Sequence, residues 1–149
     1  MKISARTLLA GFVAGFIAVL VFHQPALALL SASGFVKAAT YSMSATAPFG
    51  VPQVFSLAFW GGVWGVLFVL AQTRFPKGAR YWIAALAFGA VLPTLVAWFV
   101  VAGLKGQPVA AGWDSHRMLT SVLINAAWGA GTALLLRLAP RRSAGARYA

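Results

Sequence analysis

Two histidines and one aspartate are the side chains of this sequence best suited to metal or acid–base chemistry. His23 interrupts the apolar run "AVLVFHQPALALL", whereas Asp114 and His116 lie together in "GWDSHRM". Two imidazoles can ligate a haem iron, and with a carboxylate they can hold a divalent metal. Their spacing is diagnostic of neither site. We therefore predict no cofactor and keep a haem or metal bound by His23 and His116 as an alternative.

The stretch around His116 is poorly arranged for a hydrolase. Ser115 and His116 are adjacent, so their side chains point in different directions on a helix, and Asp114 directly precedes them. The chain has no Cys, which excludes thiol catalysis and thiolate metal sites. The sequence therefore predicts a protein that is not an enzyme.

Amide and hydroxyl side chains inside apolar segments are the other candidates for function. Gln24 follows His23, and Asn125 lies within a long uncharged run, where an unpaired amide would be costly. Thr94 offers a partner at the same depth, next to Pro93, which frees a backbone carbonyl one turn earlier. The candidates for contact with a ligand or a partner protein are His23, Gln24, Thr94, Asp114, His116 and Asn125. Hydrogen bonding between helices is the alternative role for these residues.

Long uncharged runs must position these candidates. The chain is 61% hydrophobic and only 9% charged, whereas soluble domains are about 25% charged. A bilayer core about 30 Å thick needs roughly 20 apolar residues in a helix, and inside it only helices and closed barrels satisfy every backbone group. We predict an all-α integral membrane protein, a single bundle of four transmembrane helices within residues 1–149. The predicted helices lie at about 7–28, 52–72, 81–103 and 117–138.

The positive charges lie mainly at one end of this predicted bundle. If the helices alternate in direction, nine of the 12 Lys and Arg residues belong to the N-terminus, the second loop, and the C-terminal end, which consists of Arg137 and the basic tail 139–149. Positive residues stay in the cytoplasm during insertion, so both termini are predicted to be cytoplasmic, in a bacterial inner membrane. Short basic clusters between uncharged runs suit the lipid bilayer. We predict no nucleic-acid partner, despite the net charge of +11.

Two segments allow more than one interpretation. The first 28 residues have a basic start, an apolar middle and an A-x-A ending, which is also typical of a cleaved signal peptide. Their apolar run continues past that ending, so we predict retention and keep cleavage as the alternative. Residues 31–53 are too apolar for a solvated loop and too interrupted to span a bilayer. We predict a short interfacial helix at Gly34–Ser44, before Pro52 opens the second helix.

Small residues four positions apart recur on all four predicted helices. Such pairs let backbones approach closely in lipid, where packing replaces the hydrophobic effect between helices. The predicted packing positions are Gly11, Gly15, Gly61, Gly65, Gly89 and Gly131. The second and fourth helices also share the pattern A-x-W-G, at Trp60 and Trp128. A duplicated hairpin is one interpretation of that pattern.

Three classes of function fit these features. The absence of acidic residues from the predicted helices and the abundant aromatic residues favour a non-catalytic accessory or assembly subunit, packed against a larger membrane-protein complex. The alternative is a small homo-oligomeric transporter or channel for a neutral or anionic solute, because coupling to protons or cations normally uses an intramembrane carboxylate. A haem protein is the third class, and a spectrum without Soret absorbance would exclude it.

Overall fold

Four long apolar helices make up most of the chain. The computed structural model describes residues 4–139, so Lys2 and most of the predicted basic tail 139–149 lie outside the described residues. The helices are α1 (Ala5–Ala32), α2 (Gln53–Gln72), α3 (Ala79–Leu104) and α4 (Ser115–Leu138), and each is long and apolar enough to cross a membrane. Each lies at a predicted position, and α1, α3 and α4 extend a few residues beyond the predicted limits.

Local chemistry explains where two of these helices begin. The Ser4 hydroxyl accepts a hydrogen bond from the Thr7 amide at 3.2 Å, and the Asp114 carboxylate accepts one from the Arg117 amide at 2.9 Å. Both side chains thereby satisfy an amide of the first turn that has no partner within its helix. Antiparallel packing groups the chain into two ends. The terminal end holds Ser4, the short loop 73–78 and Leu138, and the loop end holds the segments 33–52 and 105–114.

The α1–α2 pair packs backbone against backbone. A Cβ atom added to Gly15 would collide with the Gly61 carbonyl oxygen, and one added to Gly65 would collide with the Gly11 carbonyl oxygen. Only glycine permits this approach, because any side chain at these positions would separate the helices. The four glycines therefore define the register of α1 against α2.

The α3–α4 pair repeats this arrangement with different residues. A Cβ atom on Gly89 would collide with the Asn125 carbonyl oxygen, and one on Gly129 would collide with the Ala85 carbonyl oxygen. Gly131, which the sequence places among the packing positions, lies instead against the Phe22 ring of α1. The close approach to α3 is therefore made by Gly129, which the small-residue pattern missed.

The two helix pairs contact each other through α1 with α4 and through α2 with α3, and these two contacts differ. Helix α1 packs directly along α4, whereas α2 and α3 touch mainly through large aromatic rings. Phe68 is fully buried and meets the rings of Phe88 and Trp128 edge to face, with centroids 5.2 Å and 6.4 Å away. Such edge-to-face contacts are favourable because the positive ring edge meets a negative ring face.

Helix α1 extends well past the beginning of α2 at the loop end. Since Gly15 lies opposite Gly61 and Gly11 opposite Gly65, Gln53 lies level with His23. The nine residues Gln24–Ala32 therefore continue about 13 Å beyond the start of α2. The chain must come back along α1 by that distance before α2 can begin.

The returning segment 33–52 corrects one prediction, because Gly34–Ser44 forms no helix. Gly34 has a φ of +77° and turns the chain back at the end of α1. The amide and hydroxyl of Tyr41 then bond to α1 instead of to a local helix. A short antiparallel hairpin of β1 (Ala45–Thr46) and β2 (Val51–Pro52) leads into α2.

Candidate functional site

Helix α1 contains a π-helical turn at Val19–His23, shortly before Pro25. In this wider turn the Gln24 amide donates to the Val19 carbonyl, five residues earlier. The same register leaves the Leu20 carbonyl without a donor, because Pro25 has no N–H. The Tyr41 hydroxyl donates to this carbonyl at 2.7 Å. A tyrosine of the returning segment thus replaces the amide that the proline lacks.

Gln24 provides the second attachment of that segment. Its side chain is 2% exposed, and its Oε1 accepts a hydrogen bond from the Tyr41 amide at 2.7 Å. Its Nε2 lies 3.4 Å from Nδ1 of His23. Further along, the Ser31 hydroxyl donates to the Ala38 carbonyl at 3.1 Å. The buried amide of Gln24 is therefore engaged in holding the segment against α1.

The two histidines have different surroundings. His23 is half-buried beside Gln24, whereas His116 is exposed and packs against the Phe35 ring at a centroid distance of 5.0 Å. Within residues 4–139, no three His, Cys, Asp or Glu side chains form a group that could hold a metal ion. The two histidines and Asp114 are the chain's full set of such residues, so they do not converge.

Asp114 acts at the start of α4. Its carboxylate is fully exposed, and its pKa is lowered because the Arg117 amide donates a hydrogen bond to the ionised form. A carboxylate at this position also faces the positive end of the helix dipole. The only acidic side chain of the protein is thus used to cap a helix.

Thr94 and Asn125 connect α3 to α4. Asn125 Nδ2 donates to Thr94 Oγ1 at 2.9 Å, and the Thr94 hydroxyl lies 3.5 Å from the Ser121 carbonyl oxygen. Thr94 is 1% exposed. The side-chain amide of Asn125 thus pairs with Thr94, beside Pro93, as the sequence suggested. The backbone carbonyl of the same Asn125 faces Gly89 of α3.

Trp128, which the sequence analysis noted only as part of the A-x-W-G pattern, is a buried residue whose indole N–H makes a hydrogen bond. Its Nε1 donates to the Gly15 carbonyl oxygen at 2.9 Å, which ties α4 to α1 at the point where α1 crosses α2. A buried indole N–H normally finds an acceptor. The signal in the sequence is the A-x-W-G pattern, in which Trp128 directly precedes Gly129 in a helix rich in small residues.

A separate aromatic cluster, formed by Tyr81 and Trp82, lies at the terminal end next to Arg137. The Arg137 guanidinium lies over the Tyr81 ring at 4.2 Å and the Trp82 ring at 5.0 Å. The Tyr81 hydroxyl donates to Gln72 Oε1 at 3.0 Å. These contacts join the ends of α2 and α4 to the beginning of α3, and cation–π attraction adds to the packing of the rings.

The candidate residues thus form several ties between elements and do not line one binding cavity. His23, Gln24 and Tyr41 lie along α1, Thr94 and Asn125 lie between α3 and α4, and Asp114 and His116 begin α4. Comparison of the chain with protein-family models, with curated proteins and with solved structures finds no match. Its function is therefore inferred from its own geometry.

Proposed function

We propose that this is an integral protein of a bacterial inner membrane, with α1 to α4 crossing the bilayer and the terminal end in the cytoplasm. The mean hydropathy of the four helices, between 1.5 and 2.2, supports insertion. The concentration of Lys and Arg at the terminal end supports this orientation. Retention of α1 is supported by Gly15, which contacts both Gly61 and Trp128.

Within that membrane, we propose that the protein is a non-catalytic accessory subunit that packs against a larger membrane-protein partner. The observation that carries this proposal is a set of exposed aromatic side chains on α2 and on the hairpin that leads into it. Phe49 is 88% exposed at the hairpin, and Phe59 and Trp60 on α2 are each about half exposed. We call the surface formed by Phe49, Phe55, Phe59 and Trp60 the hairpin face.

Lipid alone is a poor cover for this surface. The hairpin begins next to the first residues of α2, level with the part of α1 that continues about 13 Å further. The 20 residues of α2 rise about 30 Å, the thickness of a bilayer core, so the hairpin lies at the edge of that core. Aromatic side chains are enriched in protein interfaces relative to the rest of the protein surface. A partner protein would cover the exposed rings of the hairpin face.

The interior polar groups give less support to a transporter. Gln24, Thr94, Asn125 and Trp128 all bond to other parts of the bundle. Among the described residues, the buried side-chain polar groups without a partner are the Thr132 hydroxyl and the Trp98 indole N–H. The four bonded groups hold helices together, and a solute path would need some of them free to exchange partners. The homo-oligomeric transporter is therefore the outcome against which the proposal is tested.

Site-specific photocrosslinking in intact cells tests the proposed surface. A photoreactive phenylalanine analogue is placed at Phe49 or Trp60, and at Phe99 on α3 as the control, since Phe99 is 50% exposed and Trp60 is 58% exposed. We expect a discrete adduct with a different membrane protein from positions 49 and 60 and none from position 99. An adduct of two copies of this chain would contradict the proposal and favour the homo-oligomer. Equal adducts at all three positions would contradict a specific face.

A further inference from the structure

An open groove of about 370 Å³ runs between α1 and α4 at the terminal end. Its lining combines one cationic side chain with an apolar wall, and it includes Arg6, Leu9, Ala10, Val13, Ile17 and Leu135. We propose that this groove binds one anionic phospholipid, with the phosphate at Arg6 and an acyl chain along the apolar wall. This inference rests on the proposed membrane insertion but not on the proposed partner.

Among residues 4–139, no acidic side chain lies near Arg6. Asp114, the only acidic side chain of the chain, caps α4 at the loop end. Arg137, at the terminal end of α4, has its guanidinium over the Tyr81 and Trp82 rings. The exposed Arg6 side chain therefore lacks a carboxylate side chain with which to pair. A phosphate from outside the chain would supply the missing negative charge, as basic sites between helices do on the cytoplasmic side.

The apolar wall has the direction that an acyl chain requires. Leu9, Val13 and Ile17 are four residues apart, so they form one line along α1, and all three are exposed. From Arg6 to Ile17 the helix rises about 16 Å. The charged end of this line lies at the terminal end, and its apolar end lies deeper in the bundle. A phospholipid in the cytoplasmic leaflet has the same order of charge and hydrocarbon.

Charge also argues against two other occupants. A second copy of the chain seated in the groove would place its own basic terminal end beside Arg6. The chain after Ala139 carries Arg141, Arg142 and Arg147, so it too would bring positive charge to a groove that already holds one. Like charges at close range are unfavourable, and an anionic lipid is the occupant that reduces the repulsion.

Native mass spectrometry of the detergent-solubilised full chain tests the proposal. The protein is titrated with phosphatidylglycerol and with phosphatidylcholine of identical acyl chains. We expect the first phosphatidylglycerol to bind about fivefold more tightly than phosphatidylcholine, the preference that one basic residue near a phosphate gives. The Arg6→Gln variant should lose this preference, and Arg80→Gln, which removes a charge at the same end, should keep it.

A second pair of variants tests the apolar wall. Val13→Trp should fill the groove and weaken the binding of both lipids severalfold, whereas Val91→Trp on α3 should not, because Val91 does not line the groove. The two valines are similarly exposed, at 46% and 48%, which makes Val91 a matched control. Ala10→Leu is a smaller groove-filling change if Val13→Trp fails to fold. The proposal is overturned if Arg6→Gln keeps the preference, if Arg80→Gln removes it equally, or if neither filling variant weakens binding. Since purified protein is used, failure here leaves the crosslinking result intact, and the reverse also holds.

Discussion

A single side-chain hydrogen bond replaces the backbone bond that Pro25 removes from α1. Pro25 leaves the Leu20 carbonyl without an amide donor, and the Tyr41 hydroxyl supplies one from outside the helix. Pro25 lies two residues after the end of the π-helical turn. This turn moves the free carbonyl from Val21, the position expected in a regular α-helix, to Leu20. The donor is therefore specific to this register.

Because the Tyr41 hydroxyl replaces the amide that Pro25 lacks, the effects of substituting these two residues on stability should be coupled. Tyr41→Phe should lower the free energy of unfolding by about 1 kcal/mol, because the Leu20 carbonyl loses its donor. Pro25→Ala restores a backbone N–H, so Tyr41→Phe should cost less in that background. Thermal unfolding of the four proteins in detergent measures the coupling. Equal effects of Tyr41→Phe in both backgrounds would show that the hydroxyl does not substitute for the missing amide.

Two buried threonines should respond oppositely to the same substitution. Thr132 is fully buried, and its hydroxyl has no hydrogen-bond partner among residues 4–139, so Thr132→Val should leave stability unchanged or raise it by about 1 kcal/mol. Thr94 accepts a hydrogen bond from Asn125, so Thr94→Val should destabilise by about 1–3 kcal/mol. Unfolding midpoints of both variants check the pair. A loss of stability in Thr132→Val would reveal a partner for its hydroxyl.

The helix cap at Asp114 predicts a dependence on acid. Because its pKa is lowered in the folded protein, its contribution to stability is present above the pKa of the unfolded chain. That contribution is lost as the pH falls through the lower, folded value, hence below about pH 4. Asp114→Asn keeps a capping oxygen at every pH, so the wild type should lose more stability than this variant on acidification. An equal fall in melting temperature for the wild type and Asp114→Asn, from neutral pH to acid, would contradict the role of the charge.

At the scale of elements, glycine contacts determine how the helices meet. Gly15→Ala should destabilise the protein by about 1–3 kcal/mol, because its Cβ collides with the Gly61 carbonyl of α2. Gly103 near the end of α3 has no atom within 4 Å of the corresponding position. Gly103→Ala is therefore the matched control and should be neutral or slightly stabilising, since alanine favours a helix. Equal melting temperatures for the two variants would show that α1 and α2 do not depend on the close approach.

The returning segment 33–52 shows why its structure was not predictable from composition. A moderately apolar stretch with one charge is typical of a helix lying in the membrane interface. Its conformation depends on two acceptors in α1, the Gln24 side chain and the Leu20 carbonyl. Their partner, Tyr41, is 17 and 21 residues away along the chain. No local pattern reports a pairing over that separation.

At the scale of the whole molecule, the two hairpins are related by a register that differs from the one suggested by A-x-W-G. In the close contacts, Gly11 and Gly15 of α1 are equivalent to Ala85 and Gly89 of α3, 74 positions later. Gly61 and Gly65 of α2 are equivalent to Asn125 and Gly129 of α4, 64 positions later. Trp64 therefore corresponds to Trp128, one helical turn from the match at Trp60. Each of these tryptophans reaches the other hairpin, where Trp64 meets the Phe88 ring and Trp128 bonds to Gly15.

The proposed orientation predicts the outcome of reporter fusions. Alkaline phosphatase, which is active only outside the cytoplasm, should be active when fused within loop 105–114 and inactive when fused within loop 73–78 or after Ala149. The reason is the distribution of Lys and Arg between the two ends. Activity of the fusion in loop 73–78 would contradict both the orientation and the location of the proposed lipid site.

The sequence by itself determined the number, position and apolar character of the helices, because these depend on runs of similar residues. It also indicated most of the close contacts, since only small residues allow backbones to touch. The tertiary structure decided which partner each buried polar group bonds to, as Tyr41 does with Leu20 and Trp128 with Gly15. It also replaced the predicted interfacial helix by a returning segment. These choices depend on contacts between distant parts of the chain, which compete with local preferences and here prevail.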